Sequence, residues 1–145
     1  MEPGALRGDM VDGLEERLSI DDAVALAMRT VPRRTFVDDA PYDGRGEADG
    51  TTVLAPEMVA RLLTALDVVA RNVETSVGGD DAGETDRAAR ADGAAVDADS
   101  TGDVLVVGAG VGYTAAVLAE LVGETRVHAV DIDRRLVYAA RSNLE

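Results

Sequence analysis

The sequence contains no cysteine. Disulfide frameworks, thiolate zinc sites, iron–sulfur clusters and cysteine nucleophiles are therefore excluded. Histidine occurs once, at position 128, which argues against a Ser/His triad or a multi-histidine centre, and no metal site is expected. Lysine is also missing: the 14 basic residues are all arginine, set against 28 acids. The net charge of −14 repels phosphate backbones, so nucleic acid is not an expected partner. Aromatics are few, one Phe and three Tyr. Acid-rich, lysine-free composition with small aliphatics is the pattern of halophilic cytoplasmic proteins. At molar salt the Debye length is only about 3 Å, and like charges scarcely repel. The alternative is a merely acidic protein from a GC-rich genome.

Long apolar runs are missing too. The longest uncharged stretch, Val104 to Ala119, is interrupted by Gly108, Gly110 and Gly112, and it is shorter than the roughly 18 residues of a spanning helix. The N-terminal Met1-Glu2-Pro3-Gly4 has neither the basic region nor the apolar stretch of a secretory signal. The expectation is a cytoplasmic protein with no membrane partner.

What is present is a globular composition, 145 residues with 46% hydrophobic and 29% charged, enough for a real core. Met10, Leu14 and Leu18 share one helical face. Ser19 and Asp22 read as the cap of a second short helix, which Pro32 ends. Residues 38–52 are rich in Asp, Gly and Pro and read as loop. Pro56 opens a helix to about Arg71 with Met58, Val59, Leu62, Leu63, Leu66, Val69 and Ala70 on one face. Between residues 72 and 100 stand eight acids, two arginines and only three aliphatics larger than alanine. Such a stretch cannot bury enough surface to offset its ordering entropy, and 72–102 is expected to be a disordered acidic insert.

Val104 to Val107 is four consecutive large aliphatics, the pattern of a strand buried on both faces. A glycine loop follows, then a helix over 113–122, a strand over 126–131 and a helix over 133–144. His128 falls mid-strand and reads as a packed histidine. Tyr138, on the last helix, reads as packing. Arg33 and Arg34 read as partners for a carboxylate, either a ligand's or an internal one. The fold class expected is α/β: the start of a doubly wound Rossmann-like sheet (103–145) behind a helical N-terminal segment (1–71).

The chemistry sits in Gly108-Ala109-Gly110-Val111-Gly112 between a buried strand and a helix. Glycine lets the chain turn sharply and lets a ligand approach the backbone. Asp131, which ends the next strand, stands where a nucleotide fold places an acid for two ribose hydroxyls. Position 113 is Tyr where a dinucleotide fingerprint wants a small residue, which favours S-adenosylmethionine over NAD. A glycine-rich turn with no ligand remains the plain alternative, and a nicotinamide oxidoreductase a distant one.

The segment Val104 to Ala119 resembles the first motif of the protein-L-isoaspartate O-methyltransferases, with Gly112-Tyr113 followed by a small-residue helix. Val31-Pro32-Arg33-Arg34-Thr35-Phe36-Val37 is similar to that family's "V-P-R-x-x-F-V". Tyr42-Asp43, then Gly50-Thr51-Thr52-Val53-Leu54-Ala55-Pro56, match its Tyr-Asp loop and "G-Q-T-I-S-x-P". The resemblance implies S-adenosylmethionine-dependent methylation of an isoaspartyl carboxyl in damaged proteins or peptides. It implies cofactor binding by Gly108, Ala109, Gly110, Gly112, Tyr113 and Asp131. Thr51 and Thr52 are the nearest hydroxyls for the catalytic side, since the family's loop serine aligns with Leu54. The acid of the family's "V-L-E-I-G" is Val106 here, and the sequence ends after the second helix of the α/β unit. The alternative is therefore a non-catalytic or truncated relative that binds cofactor weakly or acts by association. A sheet edge left open at Val104–Val107 would favour an oligomer.

Overall fold

A computed structural model describes residues 3–39, 41–42, 44–66 and 102–145. The N-terminal part begins with α1 (Pro3–Arg17) and α2 (Asp22–Thr30), followed by a 3-10 turn at Arg33–Thr35. Val11 and Leu14 of α1 are buried, with Met10 and Leu18 packed beside them. The cap of α2 is Asp21, not Ser19: its carboxylate accepts the Ala23 N–H at 2.8 Å. An Asp immediately before the first turn outcompetes a Ser set two residues further back, because the side chain must reach the N–H two or three residues on. Arg29 pairs with both Asp12 and Glu15, tying α2 to α1.

The stretch expected to be loop contains a small hairpin. Strands β1 (Gly46–Ala48) and β2 (Thr51–Val53) pair antiparallel, Gly46 with Val53 and Ala48 with Thr51. Asp49 and Gly50 between them both have positive φ, 50° and 73°. Two left-handed residues in a row match the right-handed twist of the strands they join. The inner face of β1 lies so close to Val37 that a Cβ on Gly46 would sit 2.3 Å from a Val37 methyl.

Helix α3 spans Pro56–Leu66. Its buried side is Pro56, Val59, Ala60 and Leu63, while Met58, Leu62 and Leu66 of the expected apolar face are exposed. Among the described residues, the half of that face turned toward α2 is the part that is covered. Asp67 to Arg71, and nearly all of the acidic segment at 72–102, lie outside the described residues.

Strand β3 (Val104–Val107) and strand β4 (Val127–Val130) pair in parallel, Val104 beside Val127 through Val107 beside Val130. Helix α4 (Tyr113–Val122) makes the crossover and α5 (Arg134–Leu144) follows β4. Alanine and leucine favour α4, and Gly123, with φ 93°, ends it. The expectation that β3 is buried on both faces is corrected. Val104 and Val106 pack inward, but Leu105 is 61% and Val107 77% exposed. Among the described residues α4 covers one face of the pair and no element covers the other. His128 shares that outer face opposite Leu105. It is exposed and meets the Asp103 carboxylate at 3.1 Å, so it is not a packed histidine.

One core runs through the described residues. It joins Val24 and Met28 of α2, Val59 and Leu63 of α3, and Val117 and Leu118 of α4. Among these residues no helix is long and apolar enough to cross a membrane.

Candidate functional site

The turn from β3 into α4 is built on the three glycines, whose φ values are 73°, 56° and 97° at Gly108, Gly110 and Gly112. The first two open toward solvent; at Gly108 an added Cβ would meet nothing within 4 Å. Gly112 has a different task. Its missing side chain leaves room for α5, where a Cβ would come within 3.2 Å of the Ala140 methyl. The backbone N–H groups of Gly108 and Ala109 donate to the Val130 carbonyl at 2.9 and 3.1 Å, so the loop is anchored to the end of β4.

Asp131 follows that carbonyl directly. One carboxylate oxygen accepts the Gly110 N–H at 2.9 Å and the other accepts the Asp133 N–H at 2.8 Å. Asp133 in turn caps α5 through the Arg135 N–H. Bonding from the Arg135 side chain holds the Asp133 carboxyl below its ordinary range, and the pairing raises Arg135. The Asn143 amide donates to the Val111 carbonyl at 3.1 Å and closes the loop from the far end of α5.

Facing this loop is the second strand of the hairpin. Thr51, Thr52 and Leu54 on one side, and Gly108, Ala109, Gly110 and Asp131 on the other, line a cavity of about 410 Å³. The Thr51 methyl stands 3.9 Å from the place a Gly110 Cβ would take. The structure thus brings the hydroxyl-bearing segment and the glycine loop together across a single space. Gly112 lies behind it, against α5. Tyr113 borders it, but its ring is turned into the core, 1% exposed. The ring meets Phe36 edge-on at 5.6 Å and lies under the Arg33 guanidinium at 4.6 Å. Burial raises the Tyr113 phenol above its ordinary value, and Arg33 partly offsets this. Val106, half-buried, is not part of the cavity wall. The Leu54 side chain is, so no hydroxyl stands at that position.

Two participants, Asp133 and Asn143, escaped the sequence reading, and a third, Arg33, was assigned the wrong kind of partner. Asp133 carries an Asp-x-Asp spacing after β4 that is a capping signal. Asn143 lies too far along α5 to be tied to a loop from the sequence. Arg33 is fully buried, and among the described residues no carboxylate meets it. Its Nε and Nη2 donate instead to the carbonyls of Pro41 and Leu54, at 2.6 and 2.7 Å.

A cavity of this volume is in the range that holds a small organic ligand. Open glycine backbone on one wall and a carboxylate at the strand end suit a group carrying neighbouring hydroxyls and a polar tail. Comparison with known proteins points the same way. Residues 94–145 match the family model described as Protein-L-isoaspartate(D-aspartate) O-methyltransferase. A protein-L-isoaspartate O-methyltransferase from Bordetella avium is 34% identical, the match covering 96% of this chain and 43% of that protein. One from Methanosarcina mazei is 32% identical over 97% of this chain and 48% of the relative. The chain therefore spans about half the length of the curated relatives it matches. Among solved structures, a Plasmodium falciparum protein described as a protein-L-isoaspartate O-methyltransferase, in complex with S-adenosyl-L-homocysteine, superposes with a TM-score of 0.59. The identity is 19%, with 95% of this chain and 54% of that one covered. That likeness supports the α/β, Rossmann-like fold.

Proposed function

We infer that this chain, which belongs to the protein-L-isoaspartate O-methyltransferase family over the portion it spans, binds S-adenosylmethionine and takes isoaspartyl-containing peptides or proteins as substrate. The observation that carries this is the single cavity in which Gly108–Gly110 and Asp131 face Thr51, Thr52 and Leu54. Asp131 would accept from the ribose hydroxyls. The backbone of Gly108 to Gly110 would lie along the amino-acid end, with Gly112 letting α5 close behind the loop.

When bound, S-adenosylmethionine supplies an electrophilic methyl on a sulfonium. The protein's part is then positional. A substrate carboxylate is already ionised near pH 7 and needs no general base. Thr51 and Thr52 would orient that carboxylate, and the apolar Leu54 would help to keep water from the methyl. The absence of a catalytic His, Cys or Lys fits such a mechanism.

Titration calorimetry with S-adenosylhomocysteine tests the reading. Binding to the wild-type chain, weakened in Asp131→Ala, supports it. No binding by the wild-type chain, or tight NADH binding instead, overturns it. A second reading, cofactor binding without methyl transfer, is favoured by Leu54 in the cavity wall where the family carries serine. Transfer of a labelled methyl to an isoaspartyl peptide separates the two.

A further inference from the structure

Arg33 is the only charged residue with a fully buried side chain among those described. A buried guanidinium is costly unless its charge is paired or its donors are satisfied. This chain has 28 acids to offer, yet no described carboxylate meets Arg33. Two neutral carbonyls and an aromatic face take that place. The partners are informative. Leu54 directly follows the strand that carries Thr51 and Thr52, Pro41 begins the approach to the hairpin, and Tyr113 is the first residue of α4 after the glycine loop. One planar group thus touches both walls of the cavity without entering it. The remaining Arg33 nitrogen, Nη1, and the hydroxyls of Tyr42 and Tyr113 are buried with no hydrogen-bond partner among the described residues. A side chain kept only for packing would be replaced at little cost by an apolar one of similar volume.

We propose that Arg33 is a positioning residue that clamps the Thr51–Leu54 segment against the glycine loop, setting where a substrate carboxylate sits relative to the cofactor. The inference rests on the functional reading above. The fork geometry matters, because lysine offers a point charge and cannot give two in-plane donors to carbonyls on different segments.

The test compares wild type with Arg33→Lys, with Arg33→Met as the charge-free control. Three quantities are measured. These are S-adenosylhomocysteine affinity by calorimetry, isoaspartyl-peptide affinity at saturating S-adenosylhomocysteine by fluorescence anisotropy, and amide hydrogen exchange. Arg33→Lys should lose about tenfold in peptide affinity and less than about threefold in S-adenosylhomocysteine affinity, as expected when oriented hydrogen bonds are lost on one wall only. Exchange should quicken across 44–55 and stay unchanged across 113–122. Equal losses of both affinities, or quickening throughout the helices, would show Arg33 to be general core support and overturn the proposal. Should Arg33→Met fail to fold, Arg33→Lys carries the test. If the wild-type chain binds no S-adenosylhomocysteine, the functional reading fails. The exchange pattern then decides alone whether Arg33 fixes the segment: quickening confined to 44–55 upholds it, and any other pattern overturns it.

Discussion

Gly110 and Asp131 are joined by a hydrogen bond of 2.9 Å that links the turn after β3 to the end of β4. The same carboxylate holds the Asp133 N–H, so one side chain sets both the glycine loop and the start of α5. Asp131→Ala should therefore loosen the loop as well as remove a ligand acceptor. S-adenosylhomocysteine affinity should fall by ~1–3 kcal/mol, the range for a lost hydrogen bond to a charged group. Asp131→Asn keeps one acceptor oxygen and should lose less. Calorimetric affinities equal for wild type and Asp131→Ala would take Asp131 out of the site.

Gly46→Ala should destabilise the protein by about 1–3 kcal/mol, because the new methyl overpacks a filled core. Its Cβ would overlap the Val37 side chain at 2.3 Å, and both residues are buried. The midpoint of urea unfolding measures this. An unchanged midpoint would mean that the hairpin lifts off Val37 freely.

Tyr113 makes stability fall at alkaline pH. Its phenol is raised above 10.0 in the folded state, chiefly by burial. A raised acid contributes stability that is complete below the unfolded value and is lost as pH rises through the folded one. Thermal midpoints recorded from pH 8 upward should decline beyond about pH 10, and Tyr113→Phe should flatten that decline. At neutral pH Tyr113→Phe should be no less stable, since the buried hydroxyl makes no geometric hydrogen bond among the described residues.

Asp133 acts at the opposite end of the scale. Its carboxyl is depressed below 3.8, first by the Arg135 side chain and then by the Arg135 backbone N–H. A depressed carboxyl contributes stability above its unfolded value that is lost as pH falls through the folded one. Acid titration followed by circular dichroism should therefore show α5 weakening only below about pH 3.8. Asp133→Ala should lower the melting temperature at pH 7 and remove this acid-dependent part. The same acid profile in both proteins would contradict the assignment.

Salt should matter to the whole fold. A net charge of −14 on 145 residues opposes compaction until it is screened. The melting midpoint should rise from low salt to molar KCl, and helical ellipticity should fall on dialysis to low salt. A midpoint independent of salt would remove the halophilic reading.

The α/β half was legible because its signals are local and mutually consistent. Four aliphatics, a glycine run and an alanine-rich helix leave one arrangement, and Asp131 follows from strand length. The hairpin was missed although Asp49-Gly50 is a strong turn dipeptide, because three-residue strands give too little alternation to see among so many Asp and Gly residues. The burial of Leu105 and Val107 was misjudged because apolar sequence states what a strand tolerates, not what covers it. Tyr113 and the cavity illustrate a further limit. A motif reports that a residue adjoins the loop, whereas the direction of its ring depends on Phe36 and Arg33, nearly eighty residues earlier in the chain. Arg33 itself read as an ion-pair partner, since carbonyl acceptors carry no mark in a sequence.

The way Arg33 is held separates two responses to the solvent. Arg29 is bound to the carboxylates of Asp12 and Glu15 on a partly exposed surface, where dissolved ions compete for both partners. Arg33 is bound to the uncharged carbonyls of Pro41 and Leu54 where solvent does not reach. Mobile ions have nothing there to screen or replace. Ionic strength then governs how many molecules are folded, while the spacing between the hairpin and the glycine loop in each folded molecule stays constant. A titration of binding against salt should accordingly vary in the number of competent sites before it varies in the affinity of each.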